Sequence, residues 1–311
     1  MTSEPRPYRD EQDIAKMKAI LIEGRQSANG SYYVHVGDLS WWLFYLNRED
    51  DRRQNIYLWE GQRADGASGV IGWSLFSPSF RAFDMFVRPE ERGGERAEEM
   101  FIWTEGRMRE IVKEKGGENL RTMWVGEDDA ALIALLERRG FARSDYHFRY
   151  MTRPLDTPIL ESQLPPGYCV RHVAGEHEAQ ARAAASHGAF ESEMHAEQHL
   201  QGYLKFMRSP AYTPGLDLVV AAPDGRFAAF CICWLDPVNQ VGLFEPVGTH
   251  PDFQRQGLGK AVMWEGLRQM KARDMTSAMV CVEYDNPAAH RLYESVGFRT
   301  VKKIYTYAKD V

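Results

Sequence analysis

Hydrophobic positions change their period along the chain, and each change marks an element. In "DEQDIAKMKAILIEGR" (10–25), Ile14, Met17, Ile20 and Leu21 recur at helical spacing behind an aspartate start signal. "VGDLSWWLFYLNR" (36–48) reads as a second helix. "NIYLWEG", "GVIGWSLFS" and "FRAFDMFV" then read as three strands, followed by a long helix from about Glu91 to Lys115. "RTMWVG", another helix and a closing strand pair end the first half.

The second half repeats that order. "GYCVRHV" is a strand, and "EHEAQARAAASH" and "HAEQHLQGYLKFM" are helices. Three strands follow, "LDLVVAA", "FAAFCICWL" and "VGLFEPVGT", then a helix opening after "QGLG", strand "SAMVCVEY", helix "PAAHRLYESV" and a last hairpin. At a constant shift of 157 positions, Asp128 matches Asp285, Leu135 matches Leu292 and Glu137 matches Glu294. Gly140-Phe141 likewise matches Gly297-Phe298, with Phe148 and Tyr150 on Tyr305 and Tyr307. Such self-similarity points to an internal duplication. The proline-rich "RPLDTPILESQLPPG" carries neither period and reads as a linker around 154–166. We therefore expect an α+β chain of two domains, 1–155 and 156–311.

Composition narrows the setting. The 311 residues suffice for two cores, and the net charge of -6 disfavours nucleic acid or an anionic membrane as the partner. No apolar leader opens the chain and no run of 18 apolar residues occurs, so a cytoplasmic protein is expected. Cys169, Cys231, Cys233 and Cys281 lack metal-site spacing and are expected as buried free thiols, with no metal bound.

The stretch with most chemical content is "QRQGLG" (254–259), a glycine turn entered from a strand and leaving into a helix. Free backbone N–H groups at a helix start favour phosphate. A Walker loop is excluded because Ala261, not serine or threonine, follows Lys260. The dinucleotide fingerprint is excluded because Val262 stands where its third glycine belongs.

Gln254-x-x-Gly257-x-Gly259 behind "VGTHPDF", with "NPAAHRLYESVGF" downstream, resembles the GNAT superfamily of acetyl-CoA-dependent N-acetyltransferases, and the layout is similar to its tandem-domain members. The resemblance implies two domains, each a mixed, mostly antiparallel twisted sheet flanked by helices. It implies that backbone amides across Gln254, Arg255, Gln256, Gly257, Leu258, Gly259 and Lys260 hold the coenzyme A pyrophosphate. It also implies that Val247, Gly248 and Thr249 pair with the pantetheine arm where the fourth and fifth strands splay, with Asn286 on the same side. Tyr293, seven residues beyond Asn286 and on the same helix face, matches the tyrosine that in the family sits near the coenzyme sulfur. A phenol is protonated at neutral pH and suits protonation of a leaving thiolate.

The acceptor end needs a base. An alkylamine with a pKa near about 10.4 is almost entirely protonated at neutral pH. Glu245 faces the cleft if strand alternation holds, with Glu283 as the alternative and a water chain as a third route. A small-molecule or peptide amine is the expected acceptor, although a hydroxyl acceptor, another acyl donor or a binding module without turnover also fits the motifs.

The first copy departs from this pattern. Aligning Pro89 with Pro251 sets Glu95 and Ala97 where Gly257 and Gly259 stand, and five glutamates crowd the helix start. Leu136 takes the place of Tyr293, and Asp129 that of Asn286. A non-catalytic first copy is the expectation. The aromatic stretch Leu39–Asn47 lies on the helix that in such folds borders the acceptor site, and packing is its simpler role. "HAEQH" (195–199) spaces two histidines one helical turn apart but lacks the other marks of a zinc site, so a surface helix is expected.

Overall fold

A computed structural model describes residues 4–27, 32–48, 50–161 and 163–311. The first stretch of chain forms strand β1 (Arg6–Pro7), helices α1 (Glu11–Gln26), α2 (Val36–Trp41) and α3 (Arg52–Asn55), and strands β2 (Ile56–Gln62), β3 (Ser68–Ser77) and β4 (Ala82–Val87). Helix α4 (Glu95–Glu114), strand β5 (Asn119–Gly126), helix α5 (Ala130–Arg138) and strand β6 (Ala142–Pro154) follow. Then come β7 (Cys169–His172), α6 (Ala179–Ala189), α7 (Ala196–Met207), β8 (Asp217–Ala221), β9 (Phe227–Asp236) and β10 (Val241–Thr249). Helix α8 (Leu258–Lys271), strand β11 (Ser277–Glu283), helix α9 (Pro287–Ser295) and strand β12 (Arg299–Asp310) complete the chain.

Two compact units emerge, and they interleave along the sequence. One comprises Met1–His35, Glu49–Arg149 and Lys302–Val311; the other comprises Val36–Arg48 and Tyr150–Val301. A linear division at 155/156 therefore assigns three segments differently from the compact units, 36–48, 150–155 and 302–311. Each half also ends on one long strand, β6 or β12, rather than the expected strand pair. No glycine, proline or asparagine interrupts β12, so nothing in it turns the chain.

In the first unit the strands run β1-β2-β3-β4-β5-β12, antiparallel except for the β4–β5 pair. Its core gathers Phe76, Phe83, Phe101, Leu120 and Leu136 beneath α4 and α5. Lys309 on β12 donates to the buried Glu105 carboxylate at 2.6 Å, and Arg109 and Arg139 share that acceptor. This charge cluster ties the C-terminal strand to α4.

The second unit runs β7-β8-β9-β10-β11, again antiparallel until the parallel β10–β11 pair, with β6 beyond β11. Near-continuous apolar burial in β8 and β9 reflects cover on both faces. Helix α8 lays Ala261, Val262, Leu267 and Met270 into the core against Cys231, Cys233 and Phe244. Those two cysteines are buried as expected, but Cys169 is exposed and Cys281 half-buried. Cys169 opens an edge strand of only four residues, which leaves its side chain little cover.

Candidate active site

Pairing between β10 and β11 is short. It runs through Val241↔Ser277, Gly242↔Ala278 and Leu243↔Met279, whereas β10 continues to Thr249 and β11 to Glu283. On its other edge β10 stays with β9 through Thr249↔Ala229, after a register shift between Phe244 and Val247. The bulge re-aims β10, as such irregularities do. Beyond Leu243 the two parallel strands part, leaving the main chain of Val247, Gly248 and Thr249 half-buried on an edge that no strand pairs with among the described residues.

The glycine turn follows directly. A 3-10 turn (Pro251–Phe253), in which His250 Nδ1 accepts from the Asp252 amide at 3.3 Å, leads into exposed residues 254–257. Arg255 and Gly257 hold φ of 61° and 79°, and Gly257 is the N-cap of α8. The Ala261 amide bonds the Gly257 carbonyl at 3.0 Å; among the described residues, no hydrogen bond uses the amides of Arg255 to Lys260. They stand at the positive end of a 14-residue helix. Arg255 and Lys260 make no ion pair among the described residues, so their charge is available to an anion there.

The two glycines have different causes. A Cβ on Gly257 would meet nothing within 4 Å, so its reason is the left-handed backbone and the open approach. A Cβ on Gly259 would lie 2.8 Å from Thr249 Oγ1 and 3.3 Å from Leu292 Cδ2. Gly259 thus lets α8 sit close to the end of β10 and to α9. Only Gly257 is open to a ligand.

Asn286 caps α9, its Oδ1 accepting from the Ala289 amide at 3.0 Å, so one face of this exposed side chain is already used. Tyr293 is the buried residue of α9, at 6% exposure. Burial raises its hydroxyl pKa, and the nearby Cys281, Glu245 and Cys231 raise it further, so the phenol stays protonated. Glu245 stands in the bulge of β10, with its carbonyl accepting from Trp234 Nε1 at 2.6 Å. The residue is half-buried, but Oε2 is shut off from solvent and has no hydrogen-bond partner. Burial pushes its carboxyl pKa well up, and the nearby Asp38 carboxyl adds to this. Glu283 is exposed at the end of β11. The structure brings Glu245 and Tyr293 together beside the strand gap; Glu283 does not share their burial.

Asp38 escaped the sequence reading, which took only the adjoining stretch Leu39–Asn47 as packing. A lone carboxylate in an apolar helix was the available signal. His199 also differs from expectation: it is buried, not on a surface, and its Nε2 lies 2.7 Å from Ser186 Oγ and 3.2 Å from Tyr45 OH. Desolvation, then His187, Arg182 and Arg48, push its pKa down to about 4, which keeps the ring neutral. Only Ala196–Met207 of that region is helical, and His195 caps it from outside.

Residues 181–298 match the model of the acetyltransferase (GNAT) family. This stretch is similar to members of that family. The mycothiol acetyltransferase of Saccharopolyspora erythraea is 30% identical over 57% of the chain and 58% of its own length. That of Thermomonospora curvata is 32% identical over 61% of each. The aligned region thus spans about three fifths of these relatives' length. Among solved structures, a GCN5-related N-acetyltransferase from Sphaerobacter thermophilus covers 100% of the chain at TM-score 0.66 and 15% identity. A tandem GNAT protein from the clavulanic acid biosynthesis pathway covers 98% at TM-score 0.69 and 14% identity. At those identities the likeness is one of fold: two GNAT folds in tandem.

The first GNAT unit has its own version of the turn. A 3-10 turn (Pro89–Glu91) precedes α4, and Gly94, one place before the residue that sequence alignment matched to Gly257, is the N-cap. A glycine is therefore present, but with φ of -88°. Next to it, Arg92 is ion-paired to Asp129, the cap of α5. The pair lines a cleft of about 190 Å³ with Gly93, Gly94, Leu132 and Arg138. Asp84 sits just past the last β4–β5 pair, Phe83↔Thr122, with a buried Oδ1 that has no partner. Desolvation pushes its carboxyl pKa up to about 7, against one backbone hydrogen bond from Met123.

Proposed function

We propose that the protein is an acetyl-CoA-dependent N-acetyltransferase, its second unit carrying the reaction and its first unit non-catalytic. The observation carrying this reading is the end of β10–β11 pairing at Leu243↔Met279, directly beside the unshared amides of residues 255–260. A strand edge of that kind suits an amide-bearing arm, and the helix start suits a diphosphate. Val247, Gly248 and Thr249 would pair with pantetheine; Gln254 to Lys260 would hold the pyrophosphate, with Arg255 and Lys260 adding charge-assisted contacts. The residues present therefore fit the coenzyme, which supplies the acetyl thioester.

Glu245 is the base that takes a proton from the acceptor ammonium. The neutral amine forms the C–N bond, the C–S bond breaks, and Tyr293 protonates the departing thiolate. The nitrogen's second proton restores the Tyr293 phenol. A backbone N–H near Val247 polarises the carbonyl. Relatives named mycothiol acetyltransferase support acetyl transfer to a small-molecule amine. Asp129, Leu136 and the Arg92–Asp129 pair support a first unit without chemistry.

Two measurements test this. Calorimetry should show acetyl-CoA binding, and a screen of primary amines should show thiol release. Absence of binding would remove the whole reading; binding without release from any amine would leave a coenzyme-binding module.

A further inference from the structure

The first unit buries a carboxylate that its own chain leaves half-satisfied. Asp84 is 7% exposed, and its Oδ1 is shut off from solvent without a hydrogen-bond partner. Asp84 makes no ion pair among the described residues, and one backbone N–H, that of Met123, supports its carboxyl. Met123 lies in a bulge of β5: Val125 and Thr122 pair with Tyr305 and Tyr307 of β12, so two residues stand against one. Trp124, the other bulged residue, holds φ of 61°, a strained conformation for a bulky side chain. Asp84 lines a chamber of about 20 Å³ beside Phe86, Phe101 and Trp124, room for one water-sized group. Met85, Arg92 and Leu132 line both this chamber and the cleft of about 190 Å³ next to it.

The charges of this cleft select among ligands. Its arginines are already paired, Arg92 with Asp129 and Arg138 with Glu98 at 3.1 Å, which leaves Asp84 as the carboxylate without a counter-charge. A coenzyme arm is disfavoured too. The Val87 carbonyl, two places before Pro89 as Thr249 is before Pro251, accepts from the Tyr33 hydroxyl at 2.8 Å. A hard metal ion needs several oxygen ligands, and Asp84 is the one carboxylate on the chamber wall.

We propose that the first unit binds a primary amine with a short apolar body, its ammonium on Asp84 Oδ1 in the inner chamber and its body in the outer cleft against Met85, Val87 and Leu132. An ammonium brings three donors and the missing counter-charge. The aromatic walls favour a cation as well. A neutral alcohol offers one donor and no charge, and a carboxylate is repelled. Burial holds the Asp84 carboxyl pKa at about 7, so the ionised form is at hand near neutrality and an incoming ammonium favours it. Occupancy stabilises the first unit by mass action, which gives the copy without chemistry a response to amine concentration. This site goes beyond the acetyltransferase reading and does not depend on it.

The test is nuclear magnetic resonance of the full chain with isotope-labelled methionine methyls, titrated with n-butylamine and, as controls, n-butanol and butyrate. The Met85 resonance, assigned by its loss in Met85→Leu, should shift saturably with n-butylamine and stay in place with the controls. Asp84→Asn keeps the shape and removes the charge, and should weaken that response at least about tenfold. Leu132→Trp fills the outer cleft and should abolish it. An unmoved Met85 resonance, an equal response to n-butanol, or an equal response in Asp84→Asn overturns the proposal. Should Asp84→Asn not fold, the n-butanol comparison and Leu132→Trp decide. An amine bound only at the second unit leaves the Met85 resonance in place and counts against the site. Calorimetry with acetyl-CoA on the same proteins separates the outcomes: coenzyme binding with a silent Met85 sinks only this inference, whereas a Met85 response without coenzyme binding sinks only the acetyltransferase reading.

Discussion

The helix starts after β4 and β10 are built from the same parts, a short 3-10 turn, a glycine N-cap and a long amphipathic helix, yet they present opposite surfaces. After β10, Gly257 lies in the left-handed region, the amides of residues 255–260 are unshared, and Arg255 and Lys260 are uncommitted. After β4, Gly94 has an ordinary φ, Arg92 is held by Asp129, and Arg96 is held by the buried Glu91. One turn leaves its positive groups to an incoming anion; the other has neutralised them from within. The difference teaches that two copies of one fold can treat the same helix start in opposite ways, one leaving its polar groups unshared and the other pairing them within the chain.

The comparison breaks most visibly at the donor. Tyr293→Phe should lower thiol release about 10²–10⁴-fold while coenzyme affinity by calorimetry stays within about twofold. An unchanged rate would leave the two units chemically alike. In the first unit, the Asp84 carboxyl ionises near pH 7 when folded but near 4 when unfolded. Below about pH 4 both states are protonated and nothing is lost; as pH rises through about 7, the folded state is penalised. The stability difference between Asp84→Asn and wild type should therefore grow over that window, by up to about 4 kcal/mol in chemical denaturation. A pH-independent difference would show that Asp84 stays ionised.

The turn itself offers a finer contrast. Gly257→Glu combines a side chain at positive φ with a carboxylate at the phosphate position, and should weaken coenzyme A binding about 100-fold, near 2.7 kcal/mol. Gly259→Ala acts by crowding, since its Cβ would press on Thr249 Oγ1; an overpacking loss of about 1–3 kcal/mol in stability is expected. Gly94→Ala is the control. Its ordinary φ and a nearest contact of 3.2 Å to the Glu91 carbonyl should hold the change under about 1 kcal/mol, with coenzyme binding untouched. If Gly94→Ala weakened coenzyme binding as Gly257→Glu does, the first turn would be a ligand site after all.

Most of the element order was legible because strand and helix periods are local properties. The three-strand run before each long helix, the Asp10 cap and the break at "QRQGLG" all lie where the periods place them. Glu245 was reached by assuming alternation along β10; the bulge between Phe244 and Val247 breaks that alternation, so its position beside Tyr293 rests on the fold instead. His199 looked like a surface residue because helix spacing does not say which face meets Tyr45 and Ser186. Asp38 was read past entirely. Glu245, whose carboxyl it acts on, stands 207 positions away, and no local pattern joins the two.

By itself the sequence determined the duplication, the type of nearly every element and the place of the glycine turn, since these depend on neighbouring residues and on backbone sterics. Tertiary structure decided which unit received residues 36–48 and 302–311, where β10 and β11 separate, and which carboxyls come near each other. Those outcomes follow from burial and strand pairing between distant segments, whose energies no short window of residues contains.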